Sequence, residues 1–268
     1  MSTSYAAEVW NLVQRVRAQS PLVHNITNYV AMDVSANVLL AAGASPAMVH
    51  ANEEVEEFMG ISDALVTNIG TLSPPWVEAM LRASDRARAL GKPWVLDPVG
   101  AGATQYRTGV ARELTELRPT VLRGNGSEIL AVHGAGLNTR GVDSTVASGD
   151  ALGAARALAA QLQIVVAVTG KTDYVTDGAR TLAVHNGHAM MTRVTALGCS
   201  LSALVAAFAA VHGDRVLATA AALAAFGLAG ERAARESAGP GTFRQRIVDE
   251  LYLLDESTTV GGAVVEDV

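Results

Sequence analysis

One cysteine in 268 residues rules out an internal disulfide framework. A lone thiol suits a reducing compartment, so a cytoplasmic setting is expected. Aromatic residues are only 4% of the chain, so the core has to be built from Ala, Val and Leu. Charged residues are scarce too, at 17%, and the net charge is −6 with no basic run. Nucleic acid and anionic membranes are therefore not expected as partners. The longest apolar runs, near Leu204–Val211 and Ala218–Ala229, contain or abut polar residues and fall short of a membrane span. The first twenty residues are mixed polar and lack the apolar centre of a signal peptide. H-E-x-x-H, C-x-x-C and G-x-S-x-G do not occur, and the six histidines are scattered without metal-ligand spacing. Gly170-Lys171-Thr172 lacks the upstream glycine of a P-loop.

Half of the residues are hydrophobic, enough for a large core. No repeat and no interdomain linker interrupts the chain, so residues 1–268 are expected to form one domain. Helical periodicity is predicted over Glu8–Gln19, Val30–Ala42 and Pro74–Leu90, with Gly43 and Gly91 as stops. Further helices are expected over Gly149–Leu162, Cys199–His212, Val216–Ser237 and Phe243–Leu254. Short β-branched runs predict strands at Ala47–His50, Ala64–Asn68, Pro93–Asp97, Thr120–Arg123 and Ile164–Thr169. Asp173–Val184 reads as a hairpin turning at Asp177-Gly178. The tail, residues 255–268, is Gly- and Thr-rich and is expected to fray. Alternation of strands and helices predicts an α/β fold, with a mostly parallel sheet covered by helices on both faces.

Ligands in such sheets bind beyond the carboxyl ends of the strands. Polar residues cluster there: Asn68 with Gly70, Asp97, Arg123 with Asn125 and Glu128, and Thr169 with Lys171 and Asp173. Mg²⁺ takes hard oxygen ligands and keeps several waters, so Glu128 is a candidate ligand, direct or through water, with Asp97 as second acid. The competing arrangement makes Asn125 a helix cap with Glu128 at the third helical position, and Asp97 part of an Asp-Pro turn. Arg123 is a candidate phosphate fork or an ion-pair partner of Glu128. Thr169 and Thr172 are candidate nucleotide contacts. In Thr195-Ala-Leu-Gly-Cys199, small residues open an apolar helix with the only cysteine in its first turn. Free amides and the dipole at such a terminus bind phosphate or a developing anion, and the same field lowers a thiol pKa. An inert thiol in a capped core helix is the other reading.

Taken together, these residues are similar to a known family. Pro21-Leu-Val-His-Asn-Ile-Thr-Asn28, Ala31-Met-Asp-Val-Ser-Ala-Asn37, Gly43-Ala-Ser-Pro-Ala-Met48 and Asn68-Ile-Gly-Thr71 carry the resemblance in the first third. Trp94-Val-Leu-Asp-Pro-Val-Gly-Ala-Gly102, Arg123-Gly-Asn-Gly-Ser-Glu-Ile129 and Gly141-Val-Asp-Ser144 extend it. Val168-Thr-Gly-Lys-Thr-Asp173, Gly198-Cys-Ser-Leu-Ser-Ala203 and Gly239-Pro-Gly-Thr-Phe-Arg244 complete it. The chain resembles the hydroxyethylthiazole kinases, the thiamine-salvage branch of the ribokinase-like kinases.

The resemblance implies a three-layer ribokinase-like fold and a homotrimer with active sites between subunits. It implies ATP as co-substrate with Mg²⁺, and phosphorylation of the hydroxyl of 4-methyl-5-(2-hydroxyethyl)thiazole. It assigns Met48, Asn25, Gly70, Ala196 and Gly198 to the thiazole alcohol and the anion hole beside it. It assigns Arg123, Thr169 and Asn125 to ATP, and Asp97 and Glu128 to the metal. Cys199 takes the catalytic position where most ribokinase-like relatives carry an aspartate base. The family pattern has glycine at the position of Ala196; where positive φ is required, alanine there is strained. Rival readings are a kinase for hydroxymethylpyrimidine or pyridoxal, a non-catalytic ligand sensor of the same fold, and a cysteine hydrolase. The hydrolase lacks a histidine placed by motif beside Cys199.

Overall fold

A computed structural model describes residues 4–134 and 146–268; the family segment Gly141–Ser144 lies outside the described residues. Six strands run parallel: β1 (Leu22–Ile26), β2 (Ser45–Met48), β3 (Ala64–Asn68), β4 (Trp94–Asp97), β5 (Val121–Asn125) and β6 (Val165–Thr169). Antiparallel β7 (Asp173–Thr176), β8 (Thr181–Val184) and β9 (Val265–Asp267) follow, and the order is β2-β1-β3-β4-β5-β6-β7-β8-β9. The described helices are α1 (Tyr5–Gln19), α2 (Met32–Ala42), α3 (Val55–Ile61), α4 (Pro74–Ala89), α5 (Gln105–Glu116) and α6 (Gly126–His133), then α7 (Ser148–Leu162), α8 (Leu197–Val211), α9 (Arg215–Arg235), α10 (Pro240–Tyr252) and α11 (Glu256–Gly262).

Side chains alternate across a strand, so one sheet feeds two cores. Val23, Val66, Val95, Val121, Val165 and Ala167 pack against α1, α2, α8, α9 and α10. Leu65, Trp94, Leu96, Leu122, Val166 and Val168 face α3 to α7. This is the expected layered α/β arrangement. Ala-rich α9 has the length and hydropathy of a membrane span, and it is buried inside the first core. Its small side chains let a long helix lie close to the sheet where aromatics are scarce.

Three elements escaped the sequence reading. β1 carries adjacent His24 and Asn25, which break the apolar pattern, yet both are fully buried. His24 Nε2 lies 2.8 Å from the Val49 carbonyl, and Asn25 Nδ2 donates to the Val23 and Ala47 carbonyls. Short α3 buries only Val55 and Met59, and α5 shows a weak apolar stripe of Val110, Ala111 and Leu114. The fraying expected of residues 255–268 is corrected: they form α11 and β9. β9 satisfies the open edge of β8, and Tyr5 Oη donates to Asp267 at 2.7 Å.

Candidate active site

Strand parity assembles the site. Asn25, Asn68, Asp97, Arg123 and Thr169 lie near the carboxyl ends of β1, β3, β4, β5 and β6. Each sits an even number of residues from the valine or alanine that its strand gives to the α8-side core. All five therefore project to the face covered by α8. In register, Asn68 stands opposite Asp97 and Asn125 opposite Thr169.

Asp97 is 1% exposed, and its Oδ2 accepts from Asn68 Nδ2 at 2.9 Å and from Ser202 Oγ at 2.7 Å. Burial raises its pKa against the lowering pull of Arg123, whose Nη1 is 3.9 Å away. The acidic partner of Arg123 within 4 Å is thus Asp97 and not the expected Glu128. Arg123 also donates to the Gly198 carbonyl and to Thr169 Oγ1, each at 3.0 Å. A Cβ on Gly198 would come within 3.3 Å of Arg123 Nη1, so glycine lets the guanidinium lie under the helix. Arg123 Nε is buried without a partner among the described residues. An unsatisfied cationic donor beneath a helix N-terminus suits an anionic ligand.

Glu128 does cap its helix. Asn125 Oδ1 accepts from Glu128 N at 3.0 Å, and Glu128 Oε2 accepts from Asn125 N at 2.8 Å. Its second oxygen, Oε1, accepts from Gly100 N at 2.8 Å, tying α6 to the loop after β4. Burial first, and the charge of Asp97 second, push its pKa from 4.5 up to about 7. Two buried carboxylates that repel each other make a place where a dication is favoured. Among the described residues no group of three or more His, Cys, Asp or Glu could hold a metal ion. Oxygens already gripped by backbone N–H groups fit a Mg²⁺ that keeps most of its own waters.

A stability prediction follows from the sign of the Glu128 shift. The folded protein holds this proton more tightly than the unfolded chain. The resulting stabilisation is complete below about pH 4.5 and is lost as pH rises through about 7. Without metal, the wild-type Tm should fall relative to that of Glu128→Gln between pH 5 and pH 8, and Mg²⁺ should restore part of it at pH 8. Thermal melts with and without MgCl₂ check this; a metal effect as large at pH 5 as at pH 8 would count against it.

α8 starts with Ala196 as its N-cap, at φ 67° and ψ 0°, with no side-chain cap. This is the left-handed region, which costs a residue with a Cβ roughly 1–2 kcal/mol. The strain anticipated at Ala196 is therefore present. Cys199, at the third helical position, is half-buried, and its Sγ accepts from Asn28 Nδ2 at 3.3 Å. Burial, then the nearby charge of Asp97, push the thiol pKa up to about 11, correcting the lowering expected from the terminus.

At the sheet edge, Met48 ends β2 and pairs in register with Asn25, whose Oδ1 is buried without a partner among the described residues. Gly70 N donates to Asn68 Oδ1 at 2.9 Å. A Cβ on Gly70 would approach Asn28 Nδ2 to 2.6 Å, so only glycine fits. Arg107, passed over in the sequence, clamps the exits of β3 and β4 by donating to the carbonyls of Ile69, Gly70 and Val99. Asn28 and Ser202 were passed over as well. Ser202 falls three residues after Cys199, a spacing that puts both on one helix face and was the available signal. Of the remaining candidate, Thr172, the carbonyl accepts from Ser148 Oγ at 2.6 Å.

Comparison with known proteins gives the family. The model of the hydroxyethylthiazole kinase family matches residues 13–257. A hydroxyethylthiazole kinase from Oleidesulfovibrio alaskensis is 54% identical over 245 residues, covering 91% of this chain and 92% of that protein. One from Cereibacter sphaeroides is 54% identical over 251 residues, covering 94% and 95%. The solved structure of a hydroxyethylthiazole kinase from Pyrococcus horikoshii is 45% identical, with a TM-score of 0.90, covering 97% of this chain and 99% of that one. A ribokinase-like superfamily protein from Enterococcus faecalis, 12% identical with a TM-score of 0.66 and 88% of each chain covered, shares the fold alone. With the family match spanning nearly the whole sequence, and the strand-end residues gathered under α8, this chain belongs to the hydroxyethylthiazole kinase family.

Proposed function

We propose that the protein transfers the γ-phosphoryl group of ATP to the hydroxyl of 4-methyl-5-(2-hydroxyethyl)thiazole, in thiamine salvage. The observation that carries this reading is the convergence of Asp97, Arg123, Thr169 and the α8 N-terminus on one sheet face in a chain of this family. The bond between the γ-phosphorus and the oxygen bridging to ADP breaks, a bond to the alcohol oxygen forms, and the hydroxyl proton leaves. Such a transfer asks for positioning and charge neutralisation more than for covalent chemistry. Arg123, Thr169 and Asn125 hold ATP, and Asp97 and Glu128 are the residues that would hold Mg²⁺. Bound Mg²⁺ supplies charge neutralisation at the phosphates. The amides from Ala196 to Cys199 receive the charge of the moving phosphoryl group. Met48, Asn25 and Gly70 seat the thiazole, and Cys199, protonated at neutral pH, hydrogen-bonds at the acceptor oxygen.

Two finer points belong to this reading. We propose a homotrimer with the sites between subunits, as membership of the family suggests. A monomeric mass in sedimentation would overturn it. A cytoplasmic location is proposed from the free thiol alone.

The deciding experiment is ATP consumption with a panel of heterocyclic alcohols, with ³¹P NMR of the product. The thiazole alcohol should give the highest kcat/KM. A clear preference for hydroxymethylpyrimidine or pyridoxal would sink the assignment.

A further inference from the structure

Two asparagines at the site, neither given a role so far, form a chain whose direction the backbone dictates. Asn28 Oδ1 accepts from the amides of Val30, at 3.1 Å, and Ala31, at 3.0 Å. Both lone pairs of that oxygen are engaged, so its amide group has to face the other way. There Asn28 Nδ2 donates to Asn68 Oδ1 at 2.9 Å and to Cys199 Sγ at 3.3 Å. Gly70 N also donates to Asn68 Oδ1, which fixes Asn68 in the same sense. Asn68 Nδ2 then donates to Asp97 Oδ2, which Ser202 Oγ meets from α8. Both asparagines are at least 95% buried. Flipping either carboxamide would set N–H against N–H in a buried place, where an unsatisfied donor is expensive.

We propose that Asn28 and Asn68 are positioning residues of the phosphoryl-transfer centre: a one-way carboxamide chain, oriented by the amides of Val30, Ala31 and Gly70, presents one N–H to Cys199 Sγ and one to Asp97 Oδ2. The inference rests on the roles given above to Asp97 and Cys199. The chain leaves Asp97 Oδ2 doubly accepting, which restricts how the carboxylate turns. It also engages Cys199 Sγ as an acceptor, so its S–H is directed away from Asn28. Because the asparagines act through other residues, their loss should lower kcat more than it raises the KM for the thiazole alcohol.

Asn28→Asp and Asn68→Asp test this with almost no change of shape. Each keeps the oxygen that the backbone amides grip and replaces the donating NH₂ with oxygen. Three measurements on the full chain decide: steady-state kinetics with Mg²⁺-ATP and the thiazole alcohol, thermal melts, and iodoacetamide alkylation of the only cysteine. Both variants should lose roughly 10- to 10²-fold in kcat, less than the roughly 10²- to 10³-fold of a removed direct contact because they act through other residues, with the thiazole KM within about three-fold. In Asn28→Asp, alkylation of Cys199 should slow several-fold, because the thiolate loses a donor and gains a repelling oxygen. A merely loosened structure would expose the thiol and speed alkylation. Folded variants with wild-type kcat, or a lost kcat with faster alkylation, overturn the inference. Asn68→Ser serves in the same way if Asn68→Asp does not fold. Asp97→Asn separates the two levels. If it is inactive while both asparagine variants behave as wild type, only the chain fails. If it is fully active, the reading of Asp97 fails, and the chain with it.

Discussion

Glu128→Gln should lower kcat by roughly 10²-fold or more and raise the Mg²⁺ concentration needed for half-maximal rate. That is the scale of one lost preorganised electrostatic contact. The substitution keeps the volume and removes the charge proposed to hold Mg²⁺. It also has a structural consequence, because both carboxylate oxygens accept backbone N–H groups, from Gly100 and Asn125. A glutamine supplies one acceptor and one donor, so one of these amides meets an N–H. A buried unsatisfied group of this kind costs about 1–3 kcal/mol. Thermal melts should therefore show a lower Tm together with the kinetic loss. A folded variant with a lower Tm but unchanged kcat and Mg²⁺ dependence would leave Glu128 a helix cap and nothing more.

Replacement of Cys199 carries the second large expected effect and separates three mechanisms. A thiol with a pKa near 11 is protonated at neutral pH, so it serves the transfer as a hydrogen-bond partner and only weakly as a base. Cys199→Ala should cost about 10²-fold in kcat, the lower end of what a general base contributes. Cys199→Asp places a carboxylate where Asn28 Nδ2 can donate to it, and should keep or raise activity. If Cys199 were a covalent nucleophile, Ala and Ser variants would both be dead and a phosphorylated cysteine would be trappable. If it were only packing, Ser would be nearly silent and Asp would damage folding. Steady-state rates of the three variants, with melts as control, decide the matter. An inactive but folded Cys199→Asp would weigh most heavily against the hydrogen-bond role.

Much of the fold is written in local pattern. The apolar stretches ending in Asp97 and Thr169 are strands because short runs of buried apolar residues suit a sheet covered on both faces. The hairpin at Asp177-Gly178 is legible because Gly178 sits at φ 94° in the turn. Asp97, Arg123 and Thr169 could be picked out one by one, since a polar residue closing an apolar strand stands out. The capping box at Asn125 and Glu128 could be read from spacing, though not whether Glu128 also faces a metal.

Contacts between segments distant in sequence decided the rest. β1 is a strand because the carbonyls of Val23, Ala47 and Val49 satisfy His24 and Asn25, and no local window contains all of those partners. β9 exists because β8 offers an open edge from more than eighty residues earlier in the chain, and strand pairing is a long-range contact. The Cys199 pKa reverses its local expectation for the same reason. The helix terminus is set by residues 195–199, whereas the burial and the Asp97 charge that raise the pKa come from packing against β3 and β4. By itself the sequence determined which polar residues close the apolar strands and the alternation that puts them on one face. Only the tertiary structure decided their partners, their burial and hence their protonation, because those energies depend on what lies across space.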